Sequence, residues 1–361
     1  MGYFWGLSKF LVAFAIINFS AQAIAEPPKH RRAIIIGLDG TTGSQFHYRT
    51  LVQHQAPNFE KIMADAKYTP CIAEKHPATG GFLDPRCARA HSGHRTGPEF
   101  KWLTGPGWCS VLTGVNNNKH AVTDNTPASL STFSTTSHDH PTIMKQLISN
   151  GLKTAAGGVS AFMTSNNGGT VVPGIIDYEC GAAKNHRPLL PASATTSCNL
   201  TARQAQDESK AARDENLTKF LAAQIADPNI DLVMGVYDTI DSAGHHSGFS
   251  SNKHYLETIT QVDTMVGKLI AGIETGVRDR QEEWLVIVTA DHGGHMIAAW
   301  GIHDTRDKED DSIPFIVRTY GSSQQLHQLR YPVSHMDVHP TLMEWFGLPP
   351  TVGIDGHIQA L

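Results

Sequence analysis

The stretch EEWLVIVTADHGGHM, residues 282–296, has five consecutive apolar residues followed by Asp291, His292, two glycines and His295. Strands of parallel sheets are buried on both faces, so in sequence they form uninterrupted Val/Ile/Leu runs. In open α/β sheets, ligands bind outside the carboxyl ends of such strands. The stretch therefore predicts a buried parallel strand with a carboxylate and imidazoles at the end where ligands bind.

Two further apolar runs end in the same way. The run in RRAIIIGLDG is followed by Asp39, and the run in IDLVMGVYDTIDSAGHH is followed by Asp238, Asp241 and His245. Helical patterns separate the apolar runs, so we predict an α/β fold with a mostly parallel central sheet and helices on both faces. Adjacent strand ends would bring these Asp and His side chains together. Such oxygen and nitrogen donors suit two divalent cations, with Zn²⁺ favoured over Mn²⁺ or Fe.

The segment TGPGWCSVLTGV, residues 104–115, predicts a helix that begins just after Pro106, because Pro is favoured near helix starts. Unpaired backbone N–H groups at a helix start attract anions. A hydroxyl at Thr104 in contact with a cation would lose its proton near neutral pH and could attack phosphorus. Alternatively, Thr104 serves only as the helix N-cap.

The first 25 residues are typical of a secretory signal peptide, with one Lys, an apolar core and a small-x-small ending at Ala23 and Ala25. The apolar run is too short for a membrane anchor, so we expect no membrane span after cleavage before Glu26. We assign residues 26–361 to a single domain. Within it, residues of about 163–202 have little periodicity and predict an irregular insertion that forms a cap or pocket wall.

The cysteines and the charge restrict the compartment and the partners. Exported proteins tend to form disulfides, and the five cysteines favour the pairs Cys71–Cys87 and Cys180–Cys198, with Cys109 as a buried free thiol. The net charge is −5, and no basic stripe with interleaved aromatic residues is present. We therefore expect no stable nucleic-acid partner.

Five motifs resemble, in this order, those of the alkaline phosphatase superfamily: AIIIGLDG, TGPGWCSVLTGVNNNKHAVTDN, DTIDSAGHHSGF, WLVIVTADHGG, and GIHDT with SIPFIV. Within the superfamily, the chain is most similar to the type I phosphodiesterase/nucleotide pyrophosphatase branch. The resemblance extends from Ala33 to about His357. It implies a hydrolase of alkaline phosphatase-like fold that holds two zinc ions and acts on a small-molecule phosphate ester. The signal peptide adds the expectation that this hydrolase is exported, either periplasmic or secreted.

The resemblance also implies a set of ligands for each zinc ion. The first ion would be held by Asp39, Thr104, Asp291 and His292. The second would be held by Asp241, His245 and a third histidine. Family members take that histidine either shortly before the strand corresponding to SIPFIV, which selects His303, or near the chain end, which selects His357. We choose His303, and we expect structural or supporting roles for His295, His335 and His339.

By the same resemblance, Thr104 would attack phosphorus in line and form a phosphothreonine that is then hydrolysed. Asn125 lies where the diesterase branch has an Asn that helps to hold the phosphoryl oxygens. No Arg closely follows Thr104, whereas a monoesterase usually binds the extra charge of its substrate with Arg or Lys near the nucleophile. A phosphodiesterase is therefore favoured, with a phosphomonoesterase as the alternative.

Two further alternatives follow from the same motifs. A sulfatase would need a Cys or Ser that can become formylglycine, and Thr104 occupies the corresponding position. A catalytically silent zinc-binding protein would need the metal ligands alone and would have no use for the threonine. No motif identifies the leaving group of the substrate.

Overall fold

A computed structural model of the chain describes residues 30–71, 86–90, 102–125, 129, 139–158, 178–181, 210–250, 252–297, 300–303 and 307–361. The predicted signal peptide and most of the predicted insertion lie outside these residues. So do the side chains of the predicted Cys180–Cys198 pair. Among the described helices, none combines the length and the apolar character needed to cross a membrane.

The strands of the described chain are β1 Arg31–Leu38, β2 Lys67–Tyr68, β3 Ala88–Arg89, β4 Thr154–Gly158, β5 Tyr178–Gly181, β6 Leu232–Tyr237, β7 Glu283–Thr289, β8 His295–Ile297, β9 Trp300–Ile302, β10 Ser312–Ile313 and β11 Phe315–Tyr320. Seven of them form a sheet in the order β2-β11-β7-β1-β6-β4-β5. Strands β7, β1, β6, β4 and β5 are parallel, and β11 pairs with β7 in the antiparallel direction. The predicted mostly parallel sheet is confirmed.

The helices of the described chain are α1 Gly43–His47, α2 Pro57–Ala64, α3 Thr104–Thr113, α4 Asn117–His120, α5 Ile143–Ser149, α6 Lys210–Ala226, α7 Thr239–Ser247, α8 Lys253–Arg280, α9 Lys308–Asp311 and α10 Val338–Trp345. A π-helical turn spans Tyr48–Val52, and a 3-10 turn spans His335–Asp337. Helices α3, α5 and α10 pack on one face of the sheet, and α2, α6 and α8 pack on the other. Helices on both faces are thus confirmed.

Strand β1 shows why the sheet strands are apolar throughout. Ile34 and Ile36 belong to the core on one face of the sheet, whereas Ala33 and Ile35 belong to the core on the other. Successive side chains of a strand point to opposite faces, so a strand covered by helices on both sides has no polar face. Each isoleucine buried in this way contributes about 2 kcal/mol to folding.

Two local predictions are wrong. Helix α3 begins at Thr104 rather than after Pro106, and Leu103 occupies its N-cap position, so Thr104 is not the cap. Asp241 lies in the first turn of helix α7 rather than at the end of a strand, because β6 ends at Tyr237. Within the predicted insertion of about residues 163–202, the described residues form strand β5, which pairs with β4.

The cysteine prediction is confirmed for the Cys71–Cys87 pair and for Cys109, the three cysteines whose side chains are described. Cys71 and Cys87 form a disulfide, which joins the chain after β2 to the chain before β3. Cys109 is a free thiol in helix α3, and burial raises its pKa well above the usual value. Because the thiolate is the reactive form, Cys109 is a packing residue rather than a nucleophile.

Candidate active site

Three adjacent strands bring carboxylates to one edge of the sheet. Asp39 directly follows β1, Asp291 lies two residues after β7, and Asp241 lies in the helix that follows β6. Strand β1 pairs in parallel with both β6 and β7, so the carboxyl ends of the three strands lie side by side. This edge is where α/β sheets bind their ligands.

The first group of potential ligands contains Asp39, Asp291 and His292, all buried. The Nε2 atom of His292 lies 3.4 Å from Oδ2 of Asp291 and 3.8 Å from Oδ1 of Asp39. The Oγ1 atom of Thr104 lies 3.4 Å from the same Nε2 atom. The four residues predicted for the first ion are therefore together.

The second group contains Asp241, His245 and His303. The Nε2 atoms of His245 and His303 are 3.0 Å apart. Oδ2 of Asp241 lies 3.5 Å from Nε2 of His245, and Oδ1 lies 3.9 Å from Nε2 of His303. Helix geometry explains the contact between Asp241 and His245, because residues four apart lie on the same side of a helix. His245 is 48% exposed at its side chain, so this group is accessible to solvent.

His357, the alternative third ligand, lies outside both groups. It is exposed, and its backbone N–H donates to Oδ1 of Asp337 at 2.8 Å. The histidines expected to have structural or supporting roles also have separate partners. His295 Nδ1 lies 2.6 Å from Oδ1 of Asp310, and His339 Nδ1 lies 2.9 Å from the carbonyl oxygen of Leu112. His335 Nδ1 lies 3.3 Å from the carbonyl oxygen of Ala290.

The two groups are in direct contact. The rings of His292 and His303 stack with their centroids 3.9 Å apart. Gly40 has a φ of +63°, and a Cβ atom at this position would lie 2.5 Å from Oδ1 of Asp241. Glycine is therefore required next to Asp39, both for its backbone conformation and for the approach of the two carboxylates.

Backbone carbonyl groups orient all three imidazoles. Nδ1 of His292 lies 2.7 Å from the Gly293 oxygen, Nδ1 of His245 lies 3.1 Å from the Gly301 oxygen, and Nδ1 of His303 contacts the Trp102 oxygen. A carbonyl oxygen only accepts, so each Nδ1 carries the proton and each Nε2 has a free lone pair. Metal-binding histidines in proteins are held in this way.

The electrostatics of the site favour cations. Burial raises the pKa of Asp39 well above the usual value, and the charges of Asp291 and Asp241 raise it further. Burial, together with Asp241, also raises the pKa of Asp291. Burial lowers the pKa of His292, and the neighbouring His303 adds to this effect. An extra positive charge among these groups would relieve the carboxylate repulsion.

Buried oxygen atoms in both groups lack hydrogen bonds in the described part of the chain: Oδ1 of Asp39, Oδ1 of Asp241 and Oδ2 of Asp291. Buried polar atoms without partners are costly and uncommon. The lone pairs of His245 and His303 also face each other at 3.0 Å. Divalent cations coordinated by these oxygen and nitrogen atoms would satisfy all of them, so the donor set fits such ions.

Two contacts support the carboxylates and were not predicted. The indole Nε1 of Trp108 donates to Oδ2 of Asp39 at 3.2 Å, and the backbone N–H of Gly40 donates to Oδ1 of Asp291 at 3.2 Å. In sequence, Trp108 looks like any core aromatic residue. The available signal is that a buried indole N–H needs an acceptor.

The side chain of Asn125 contacts the start of helix α3. Its Oδ1 atom accepts a hydrogen bond of 2.7 Å from the backbone N–H of Gly105, the residue that follows Thr104. Asn125 is exposed and Thr104 is half-buried, so both can be reached from solvent. The amide and the hydroxyl are thus held near each other at the helix start.

Residues 33–311 match the family described as type I phosphodiesterase / nucleotide pyrophosphatase. A comparison with curated proteins gives no match. Among solved structures, lipoteichoic acid synthase LtaP from Listeria monocytogenes is similar, with 14% identity over 92% of this chain and 76% of that chain and a TM-score of 0.55.

Two further structures share the fold. The C-terminal periplasmic domain of EcEptC from Escherichia coli, in complex with Zn, has 13% identity over 91% of this chain and 85% of that chain, with a TM-score of 0.55. Phosphonate monoester hydrolase SpPMH from Silicibacter pomeroyi has 19% identity over 91% and 75%, with a TM-score of 0.55. At these identities the similarity shows the alkaline phosphatase-like fold. By its family match, the chain belongs to the type I phosphodiesterase / nucleotide pyrophosphatase family, hydrolases of the alkaline phosphatase superfamily that act on phosphate esters.

Proposed function

We propose that this chain is a two-zinc phosphodiesterase that acts through a phosphothreonine formed on Thr104. The observation that carries the proposal is the position of the Thr104 hydroxyl, 3.4 Å from Nε2 of His292, beside two groups of potential ligands in contact with each other. Thr104 is also the first residue of a ten-residue helix, where backbone N–H groups attract an anion.

The ligand groups divide into two sets. Asp39, Asp291 and His292 would hold one ion together with Thr104, and Asp241, His245 and His303 would hold the other. The mixture of carboxylate and imidazole favours zinc, with Mn²⁺ or Fe as alternatives. When bound, the two ions would neutralise charge on the phosphoryl oxygens and lower the pKa of the Thr104 hydroxyl.

The residues of the chain would then carry out two displacements at phosphorus. Oγ1 of Thr104 forms a bond to phosphorus as the bond to the first alcohol breaks on the opposite side. Water then attacks the phosphothreonine, which restores the hydroxyl and releases a phosphomonoester. Asn125 would support both steps, since its Oδ1 atom binds the Gly105 N–H and its amide NH₂ can donate to a phosphoryl oxygen.

The contacts of Lys119 favour a diester over a monoester. Lys119, a basic residue that follows Thr104 in the chain, binds the Gly353 carbonyl oxygen and the Asp355 carboxylate, so its charge is already engaged. A monoester carries an extra negative charge that usually needs such a cation near the nucleophile. A phosphomonoesterase remains the second candidate, and Lys101 lies outside the described residues.

We also propose that the protein is exported. The Cys71–Cys87 disulfide supports this, because disulfides persist in oxidising compartments and are rare in the cytosol. A direct check is the mass of the N-terminal fragment of the protein recovered from secreted or periplasmic material, which should begin at Glu26.

The experiment that tests the proposed chemistry compares wild type with Thr104→Ala and Thr104→Ser on a chromogenic phosphodiester, phosphomonoester and sulfate ester, with and without a chelator. We expect the diester to be hydrolysed fastest and the chelator to abolish turnover. Thr104→Ala should lose about 10³-fold or more in kcat/KM, and Thr104→Ser should keep part of it. Mass spectrometry of quenched wild type should find phosphate on Thr104. An active Thr104→Ala variant would refute the proposal.

A further inference from the structure

Asp214 links helix α6 to the start of helix α7. Its side chain is completely buried and accepts hydrogen bonds from the backbone N–H of Asp238 at 3.3 Å, from the backbone N–H of Thr239 at 3.0 Å and from the Thr239 hydroxyl. Asp238 occupies the N-cap position of α7 but makes no capping bond with its own side chain. Asp214, in helix α6, therefore caps the start of helix α7 in place of the side chain at the N-cap position.

The region around Asp214 is held by further contacts. The hydroxyl of Thr218 donates to the Asp214 carbonyl oxygen and lies 3.1 Å from the hydroxyl of Tyr237, the last residue of β6. Burial raises the pKa of Asp214 to about 6, and among the described residues it forms no ion pair. Burial of a carboxylate is costly unless its hydrogen bonds are made, and Asp214 accepts three, all from the N-cap residue and the first residue of α7.

Helix α7 carries two of the three residues in the second ligand group. Asp241 lies two residues after Thr239, and His245 lies one turn further along the helix. The Gly301 carbonyl oxygen accepts a hydrogen bond from Nδ1 of His245 and so orients its ring. The direction of α7 at its first turn thus decides whether both side chains reach His303, which belongs to a different part of the chain.

We propose that Asp214 is a positioning residue that fixes the first turn of α7, so that Asp241 and His245 meet His303 in one metal site. This inference rests on the proposed function, because it takes these three residues as ligands. The predicted consequence is specific: loss of Asp214 weakens one of the two ion sites and leaves the group of Asp39, Asp291 and His292 intact.

The chain contains a matched control. Asp263 in α8 is also buried and accepts hydrogen bonds at the start of another helix, from the backbone N–H groups of Asn58 at 3.3 Å and Phe59 at 2.7 Å. That helix, α2, carries none of the candidate ligands. Substitutions of Asp263 and Asp214 should therefore cost similar stability, and only those of Asp214 should affect metal binding.

The test is a zinc titration against a chromogenic chelator on full-length wild type, Asp214→Ala, Asp214→Asn, Asp263→Ala and Asp263→Asn, with a melting curve for each. We expect Asp214→Ala to weaken one zinc ion by about 10- to 100-fold and to change the other by less than about threefold. Asp214→Asn should have a smaller effect in the same direction. The Asp263 variants should melt earlier with both zinc affinities unchanged.

A double-mutant cycle assigns the weakened site. The effect of Asp214→Ala should persist in an Asp291→Asn background and should vanish in a His245→Ala background, where the second site is already lost. If Asp214→Ala fails to fold, Thr239→Val removes one of the three hydrogen bonds and should produce a milder loss at the same site.

Three results would overturn the inference. The first is an equal fall of both zinc affinities in Asp214→Ala, and the second is no change in either affinity. The third is a selective loss of one zinc ion in Asp263→Ala. Failure of the proposed function has a different signature, because wild type itself would then bind no zinc in the same titration, and both proposals would fall together.

Discussion

Removal of divalent cations is expected to destabilise the folded protein strongly. The cause is the cluster of Asp39, Asp241 and Asp291, which are buried and each have an oxygen atom without a hydrogen bond among the described residues. Without cations, the burial and proximity of these groups oppose ionisation and raise the pKa of Asp39 and Asp291. Bound cations would reverse the penalty.

The magnitude follows from linkage. An ion that binds only the folded state stabilises it by about 4 kcal/mol when its free concentration is about 1,000 times Kd, so two sites contribute about 8 kcal/mol. In a domain of this size, each kcal/mol corresponds to roughly 2 °C in Tm. Chelation should therefore lower Tm by about 16 °C.

The effect has a predictable pH dependence. Because the pKa values of Asp39 and Asp291 are raised on folding, the metal-free folded state binds more protons than the unfolded chain above about pH 4. The stability of the metal-free protein therefore falls as the pH rises. Metal binding releases those protons, so the difference in Tm between zinc-loaded and chelated protein should grow from about pH 5 to about pH 8.

Differential scanning calorimetry with zinc or chelator measures these shifts, and Asp291→Asn provides the sharpest comparison. This variant removes one of the like charges and keeps an oxygen for the Gly40 N–H, so its metal-free form should melt above metal-free wild type. Its gain from zinc should be about half that of wild type, since only the second group remains. Asp263→Asn, at a buried carboxylate that bonds helix α2 and belongs to neither ligand group, should melt earlier in both conditions. The reasoning is refuted if chelation shifts the Tm of wild type by less than about 2 °C, or if metal-free Asp291→Asn melts below metal-free wild type.

Three further predictions concern single side chains. His303→Ala should weaken one zinc ion by more than about 100-fold in a chelator titration, and His357→Ala should change neither ion; the reverse result would exchange their roles. Asn125→Ala should lower kcat/KM for a diester by about 10²-fold with zinc affinity unchanged, whereas the exposed Asn118→Ala should be neutral in the same assay. Burial lowers the pKa of His339 to about 4, so metal-free protein should lose about 3 kcal/mol between about pH 6.5 and about pH 4 through this group. His339→Gln should flatten that acid limb in denaturant titrations, and an unchanged slope would contradict the assignment.

The sheet and the first ligand group were predictable because each depends on a short stretch of chain. An apolar run followed directly by Asp39, or by Asp291 and His292, already specifies a buried parallel strand and the residues at its carboxyl end. Pairing of β1 with β6 and β7 then places these ends together without any information from loops.

Other features depend on contacts that leave no local pattern. The antiparallel direction of β11 is set by its pairing with β7, since the apolar run itself is compatible with either direction. Asp214 is an ordinary acidic residue in a helix with many charged neighbours, and its role depends on meeting Thr239 across two elements. The choice between His303 and His357 was open for the same reason, because His303 follows β9, a strand of the small β8-β9 sheet and not of the central sheet.

The cost of burying charged groups explains why the candidate ligands lie on strands and helices of the core. The carboxylates themselves are unfavourable to folding, so their positions depend on the packing around them. Burial of Asp39 and Asp291 at the ends of two apolar strands costs free energy. The two clusters of buried apolar residues on either side of β1 offset this cost. In a more flexible fold, these carboxylates would move apart or become hydrated. The sheet instead holds them close to His292. Under the proposed function, the cations that relieve the repulsion between these carboxylates would also lower the pKa of the Thr104 hydroxyl, which lies at the edge of the same cluster.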